Sequence, residues 1–346
     1  MKNNILKFLR AFWIALSDLY FALFFIWFVL STFTHGRFAW VSLMNMFAFQ
    51  VFLFLLPGAL AGAIFRLRRL QVAAGVAVLL FLFMFGRYFL PKSQTALATS
   101  GSLKVMTYNA LAFAPDPAAT VNIIRAENAD IVILQETNFK VAGLLEKEMK
   151  GVYPYQIHYP SDVPLGTSVV SKYPFTKIDE ELPSVWVGKP ILLQVDWSGQ
   201  KINVVDFHMV PTSLPTIAHP ASFNQITDAR KDEASALIRF LQAHPGPAIV
   251  AGDMNDVFLN DPHIMLVNSG LQDAWQEAGF GLGNTYPGNK SPGTSRVHVG
   301  EFYVPEWMLR IDYIFASPEW DVVSATLAQT DGYSDHRGVI ATLHLK

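Results

Sequence analysis

The run Phe38–Phe65 passes 28 positions without a charged side chain, and apolar stretches lie on both sides of it. Ala11–Phe33 has Asp18 as its only charge, and Leu70–Gly86 extends to Leu90 if Arg87 snorkels. A bilayer core of roughly 30 Å takes about 20 apolar residues of helix, so each stretch is long enough to cross. Backbone polar groups cannot stay unpaired in hydrocarbon, so all three are expected to be helical. The predicted spans are 11–33, 38–65 and 70–90, with Pro57 and Gly58 kinking or shortening the second. Lys2, Lys7 and Arg10 precede the first run as they would in a signal peptide. That run is longer than a signal core, and two further spans follow it.

The basic residues also set the orientation. Lys2, Lys7 and Arg10 stand before the first span and Arg66, Arg68 and Arg69 before the third, whereas the loop after the first span has only Arg37. The positive-inside rule places the N-terminus in the cytoplasm and, after three crossings, everything beyond about residue 92 outside, in the periplasm or at the outer surface. Asp18 has no second acid near it to form a proton relay, so it is expected to face polar atoms of a neighbouring helix. The charge divides at the same point: residues 1–92 carry nine Lys/Arg and one acid, and the remainder carries 17 basic and 27 acidic residues, a balance of -10. The small, polar stretch PKSQTALATSGS (91–102) reads as a linker reaching at most about 40 Å. The expected organisation is a transmembrane anchor over 1–92, a linker over 93–102 and one globular domain over 103–346. Cysteine is absent, which removes thiol catalysis, disulfide frameworks and Cys-based metal sites.

Beyond the linker, short β-rich runs alternate with helical patterns. LKVMTYNAL (103–111), DIVILQET (130–137), GTSVVSKYP, ILLQVDW, KINVVDFHM, AIVAGDMND, RIDYIFAS and GVIATLHLK read as strands. VNIIRAENA (121–129) has helical spacing, and DARKDEASALIRFLQ (228–242) is amphipathic with Ala236, Leu237, Phe240 and Leu241 on one face. Strands joined both by helices and by short turns predict mixed sheets packed face to face with helices outside. Asn109, Glu136, His208, Asp253, Asn255, Asp312, Asp335 and His336 each close an apolar run, where side chains project from the rim of a rigid scaffold. Carboxylates with an Asn carbonyl are hard oxygen ligands suited to Mg²⁺, Mn²⁺ or Ca²⁺. Two His beside them could neutralise or protonate a phosphoryl oxygen. Singly, Asn and Asp at these places also suit turns. Jointly, the set points to hydrolysis by a metal-oriented water, and no nucleophile elbow, phosphate loop or dinucleotide fingerprint competes with it.

The ordered series VMTYNAL, DIVILQET, GTSVVSKYP, VVDFHMVP, VAGDMND, RIDYIF and GYSDHRGV resembles the endonuclease/exonuclease/phosphatase superfamily, the DNase I-like fold, over roughly residues 102–346. The resemblance implies a four-layer α/β sandwich and divalent-metal-dependent cleavage of a phosphate ester. It makes Glu136 the main metal ligand, with Asn109 and Asp335 completing or supporting the metal shell. Asp253, with Asn255 beside it, would orient or deprotonate the attacking water. His336, its ring fixed by Asp312, would contact the scissile phosphate, and His208 would be a second phosphate contact, as in sphingomyelinase-like members. The family's phosphate-contacting Tyr has no clear match; Tyr153, Tyr155 and Tyr159 are the candidates. Mg²⁺ is the expected ion, with Mn²⁺ or Ca²⁺ as alternatives.

A nuclease normally offers a basic track to its substrate, and no Lys/Arg cluster here exceeds Arg230–Lys231. The acidic balance therefore disfavours nucleic acid, and a short tether to a membrane favours a lipid headgroup phosphoester. MVPTSLPTIAHPASF (209–223) and VGEFYVPEWML (299–309), the latter with Phe302, Tyr303 and Trp307, are apolar loops suited to a bilayer interface or to covering their own core. Membrane lipids are the expected partners. An extracytoplasmic nuclease and a non-catalytic lipid-binding sensor are the alternatives.

Overall fold

The computed structural model describes residues 2–92, 101–212, 219–288, 298–299 and 301–346. Most of the expected linker, residues 93–100, and part of each apolar loop lie outside the described residues. The chain divides into two compact units, Met1–Leu90 with Leu259–Asp261, and Pro91–Phe258 with Pro262–Lys346.

In the first unit α1 covers Lys2–Thr34 and α5 covers Arg68–Phe85. The stretches Asn4–Thr34 and Arg68–Tyr88 are long and apolar enough to cross a membrane. The second expected span differs: it is broken into α2 (Ala39–Met46), α3 (Ala48–Leu53) and α4 (Leu56–Ile64) and bends by 79°, so it counts as a span only if the bent pair is taken as one. Sequence composition cannot see the break, because every residue around it is uncharged and most are apolar. Pro57 occupies the first turn of α4, where its missing N–H costs no hydrogen bond, so it starts a helix here instead of kinking one. Small residues then let helices approach closely. A Cβ at Gly58 would stand 2.9 Å from the Phe21 ring of α1, and one at Gly62 would stand 2.8 Å from Leu70 Cβ of α5. Asp18 meets a charge instead of the neutral polar atoms expected: Arg69 Nε and a terminal nitrogen donate to the two carboxylate oxygens at 2.9 and 2.7 Å.

The second unit is a sandwich of two six-stranded mixed sheets, as expected. The first has the order β13-β14-β1-β2-β4-β3, with β1 Ser102–Asn109, β2 Ile131–Gln135, β3 Tyr155–Tyr159, β4 Thr167–Ser171, β13 Trp320–Leu327 and β14 Val339–Leu345. The second has the order β5-β6-β7-β8-β12-β9, with β5 Phe175–Lys177, β6 Ile191–Trp197, β7 Gln200–His208, β8 Ala248–Asp253, β9 Gln272–Asp273 and β12 Asp312–Ala316. A two-residue pair, β10 His298–Val299 and β11 Phe302–Tyr303, stands apart. The central strands β2, β4, β8 and β12 are buried along their whole length, as strands covered on both faces must be.

Helices cover the outer faces. α6 (Pro117–Glu127) begins at Asp116, whose carboxylate accepts from Ala118 N, and ends at Asn128 in the left-handed region. α7 (Phe139–Glu148) is capped by Asn138, which accepts from Val141 N. Their Val121, Ile124, Val141 and Leu145 pack on Met106, Tyr108, Val132 and Leu134 of the first sheet. α8 (Pro220–Ala243) lays Ala236, Leu237 and Phe240 on Val205, Phe207 and Val250 of the second, and α9 (Asp261–Asn268) adds Leu266. The short α10 (Ala274–Ala278) follows β9. Between the sheets Gln135 Nε2 donates to Asp206 Oδ1 at 2.7 Å. Burial holds the Asp206 carboxyl well above the usual carboxylate range.

Candidate active site

The strand ends of both sheets converge on one rim. Register puts His208 opposite Asp253 in the parallel β7–β8 pair and Asp253 opposite Asp312 in the antiparallel β8–β12 pair. Three chemistry-bearing residues therefore stand side by side in neighbouring strands. From the first sheet, Asn109 ends β1, and Glu136 leaves β2 at φ +55°, a conformation costly for a non-glycine residue and often found where a site requires it.

Asn109 joins the sheets: its Nδ2 donates to Glu136 Oε1 at 3.1 Å and to Asp253 Oδ2 at 3.0 Å, while its Oδ1 accepts from Leu111 N. Glu136 Oε2 accepts from Ala112 N, and Asp253 Oδ1 accepts from Asn255 N at 2.8 Å. Asn255, at φ +53°, turns away, and its Nδ2 donates to Met209 O, tying together the segments that follow His208 and Asp253. His336 Nδ1 lies 2.8 Å from Asp312 Oδ2, and its Nε2 faces Asp253 at 3.8 Å and Asp335 at 3.9 Å. His208 Nε2 is 3.6 Å from Asp253 Oδ2. All eight residues singled out from the sequence thus belong to one connected cluster. Only Asn255 directs its side chain outward from it.

The burial has electrical consequences. Removal from water, reinforced by the Asp312 carboxylate, pushes Asp253 up to about 7. Burial also raises Glu136, against hydrogen bonds from Ala112 and Asn109 that favour its ionised form. For His336 burial opposes protonation, but Asp312 and Asp253 outweigh it and hold the imidazolium well above its ordinary range. Burial and the His336 charge bring His208 down to about 3, so it is neutral at pH 7. One imidazole is a cation and the other is not, and their surroundings make the difference.

The donor set suits a divalent cation. Asp253 and Asp312 bring carboxylate oxygens within 4.8 Å of each other and of the His336 ring, and Asp312 Oδ1 is buried without a hydrogen-bond partner. Buried carboxylates outnumber the imidazolium that neutralises them, and the carboxylates supply hard oxygen. That combination fits a hard divalent ion.

Two contributors carry no signal in the sequence. Tyr286, in a Pro- and Gly-containing loop, places its ring centroid 4.9 Å from that of His336, and burial raises its phenol further from ionisation. Ser334 donates to Asn109 O at 2.7 Å and accepts from His336 N, locking the SDH segment to the end of β1. An aromatic or a serine within a loop carries no periodicity, so only the fold could single these out. Among the tyrosine candidates, Tyr153 is buried and donates to Ala129 O, Tyr155 is exposed on the β3 edge, and Tyr159 faces Lys189. The apolar loop after His208 buries both Met209 and Phe223, so its described ends cover core. In the later loop Tyr303 is exposed and Trp307 is half-buried.

An α/β sandwich whose two sheets deliver carboxylates, an amide and a charged imidazole to one rim defines a class of phosphoester hydrolases. The match to the Endonuclease/Exonuclease/phosphatase family covers residues 106–336, and the chain belongs to that family. Solved structures show the same fold. A humanised zebrafish (D. rerio) TDP2 aligns at TM-score 0.52 with 19% identity, over 71% of this chain and 100% of that one. Caenorhabditis elegans TDP2 aligns at TM-score 0.52 with 16% identity, over 70% and 97%. Zebrafish TDP2 with a single-strand DNA product aligns at TM-score 0.51 with 18% identity, over 70% and 99%. No curated protein sequence matches the chain.

Proposed function

We propose that this chain is a membrane-anchored, divalent-metal-dependent phosphodiesterase that hydrolyses a lipid headgroup phosphoester by water attack. The observation that carries the chemistry is Asp253, poised near neutrality between Asn109, His208 and the Asp312–His336 pair. A general base works best with a pKa near the working pH, and Asp253 is placed to take the proton of the attacking water. The imidazolium of His336, oriented by Asp312, donates a hydrogen bond to a non-bridging phosphoryl oxygen and offsets charge there as water's oxygen bonds to phosphorus and the ester P–O bond breaks, the departing alcohol oxygen taking its proton from solvent. His208, neutral, is a second donor toward the same oxygens. Glu136 and Asp335, with Asn109 in support, would hold the ion, Mg²⁺ foremost and Mn²⁺ or Ca²⁺ as alternatives. Bound there, it would supply further neutralisation of the phosphoryl group.

The lipid assignment is supported by the two apolar helices long enough to cross a bilayer and by the -10 balance of the residues that follow them. The basic flanks support a cytoplasmic N-terminus, and the catalytic domain is then extracytoplasmic provided the bent pair Ala39–Met46 and Ala48–Ile64 makes a third crossing. Turnover by detergent-purified protein tests the proposal, on a phospholipid panel and on plasmid DNA, with each cation or with EDTA. Lipid cleavage lost in EDTA and in Glu136→Ala is the expected outcome. DNA cleavage alone would make the chain an extracytoplasmic nuclease, and tight lipid binding without turnover would make it a sensor; either overturns the proposal.

The pH profile follows from the same charges. Asp253 must be ionised, so kcat/KM rises with pH through about 7, and it falls again where His336 loses its proton. The Asp312 carboxylate raises both groups, so Asp312→Asn lowers both pKa values. The whole bell moves to lower pH, with a reduced maximum; limbs that stay in place would remove Asp312 from this role.

A further inference from the structure

Arg337 follows His336 directly, and its backbone N donates to Thr285 O at 2.9 Å. Its guanidinium carbon lies 3.8 Å from the centroid of the Trp307 ring. Among the described residues that guanidinium donates no hydrogen bond and forms no ion pair, and the Trp307 indole N–H is also without an acceptor. The Asp331 carboxyl feels the Arg337 charge, but among the described residues nothing accepts from the guanidinium edge, and a half-buried guanidinium stacked on an aromatic face in this way is preorganised for a planar or tetrahedral anion.

The stack is built, not incidental. Trp307 sits at φ +56°, its N donates to Pro287 O at 2.8 Å, and its O accepts from Asn284 Nδ2 at 2.7 Å. A Cβ at Gly288 would lie 2.7 Å from the Trp307 ring and 2.9 Å from the Ser334 carbonyl oxygen. Glycine at that position is what lets the indole rest against the backbone that presents Asp335 and His336. The same loop carries Tyr286, whose ring packs on His336. In the proposed reaction His336 and His208 address the scissile phosphate, which leaves the Arg337 guanidinium, stacked on Trp307 one residue further along the chain, for another anionic group.

We propose that Arg337 and Trp307 form an anion subsite at the rim, which selects phosphate esters bearing a second phosphate group. That the bound ester is also turned over rests on the phosphodiesterase reading; its binding at Arg337 and Trp307 does not. A matched pair of ligands tests it: thymidine 3′,5′-bisphosphate against thymidine 5′-phosphate, titrated calorimetrically into the full chain in detergent. The bisphosphate should bind about tenfold more tightly, and Arg337→Met should erase that advantage while leaving the monophosphate unchanged. Arg337→Lys, which keeps the charge but not the planar fork, should recover part of it. Equal binding of the two ligands by the wild type, or an Arg337→Met that weakens both alike, would overturn the proposal.

The binding arm needs no turnover, so a failed hydrolase assay does not decide it. A second arm finds the source of the second phosphate. Vesicles of phosphatidylcholine doped with phosphatidylinositol or with its 4-phosphate are compared by flotation with proteoliposomes. An Arg337-dependent preference for the 4-phosphate places the group in a lipid headgroup; the same dependence with the soluble pair alone places it on a free ester.

Discussion

Replacing Asp253 with Asn should lower turnover by about a thousandfold, with little change in KM. The substitution keeps shape and volume but removes the one carboxylate near neutrality on the rim. The amide oxygen introduced there could still accept from Asn255 N, but its NH2 then faces Asn109 Nδ2, donor against donor, so the bond to Asn109 is lost with the charge. What an amide cannot do is take a proton from water. It also ceases to face His336 as an anion, so the imidazolium loses part of its support. Single-turnover rates on the preferred substrate, with binding measured separately, check both halves of the expectation. A loss confined to KM would mean that Asp253 binds substrate and another group is the base.

Arg230→Ala should destabilise the second unit by about 3–5 kcal/mol, the largest stability effect expected here. Arg230 is fully buried on α8, where its Nε donates to Val210 O at 2.7 Å and a terminal nitrogen donates to Asp256 Oδ2 at 3.0 Å. A further bond reaches Thr212 Oγ1. One side chain therefore clamps the segment after His208 to the segment after Asp253. Truncation takes the Arg230 cation away from the buried Asp256 carboxylate, so much of what offsets its desolvation is lost. The double replacement Arg230→Met with Asp256→Leu should recover much of the loss, since no charge is left behind. Thermal unfolding of the full chain in detergent measures both. Recovery would locate the cost in the unpaired charge; no recovery would locate it in the lost ties to Val210 and Thr212.

Much of the site is legible in the amino-acid order, for a reason particular to strand ends. VMTYNAL, VVDFHMVP, VAGDMND and RIDYIF each join an apolar strand to a polar residue at its end, and the strands are observed at Ser102–Asn109, Gln200–His208, Ala248–Asp253 and Asp312–Ala316. The helix over 228–242 is likewise present within Pro220–Ala243, with Ala236, Leu237 and Phe240 buried. Edges are harder to see. β3 (Tyr155–Tyr159) and β13 (Trp320–Leu327) are partly exposed and mix polar with apolar residues irregularly, so neither shows clean alternation. The uninterrupted second span fails for the opposite reason: Phe38–Phe65 is so uniformly apolar that no pattern marks the break near Phe47.

Hydrophobic period, strand-end chemistry and the charge split are properties of neighbours along the chain. They suffice to specify apolar spans ahead of an α/β domain, and a set of hard-oxygen and imidazole residues at its strand ends. What those residues become is set by folding. Register put Asp253 between His208 and Asp312, and under the same burial the Asp312 and Asp253 carboxylates made His336 a cation while His208 stayed neutral. Folding also brought Tyr286 and Trp307 against the SDH segment from a loop remote in sequence. Protonation and proximity depend on what surrounds a group in space, and a side chain's surroundings are fixed only when the sheets close over it.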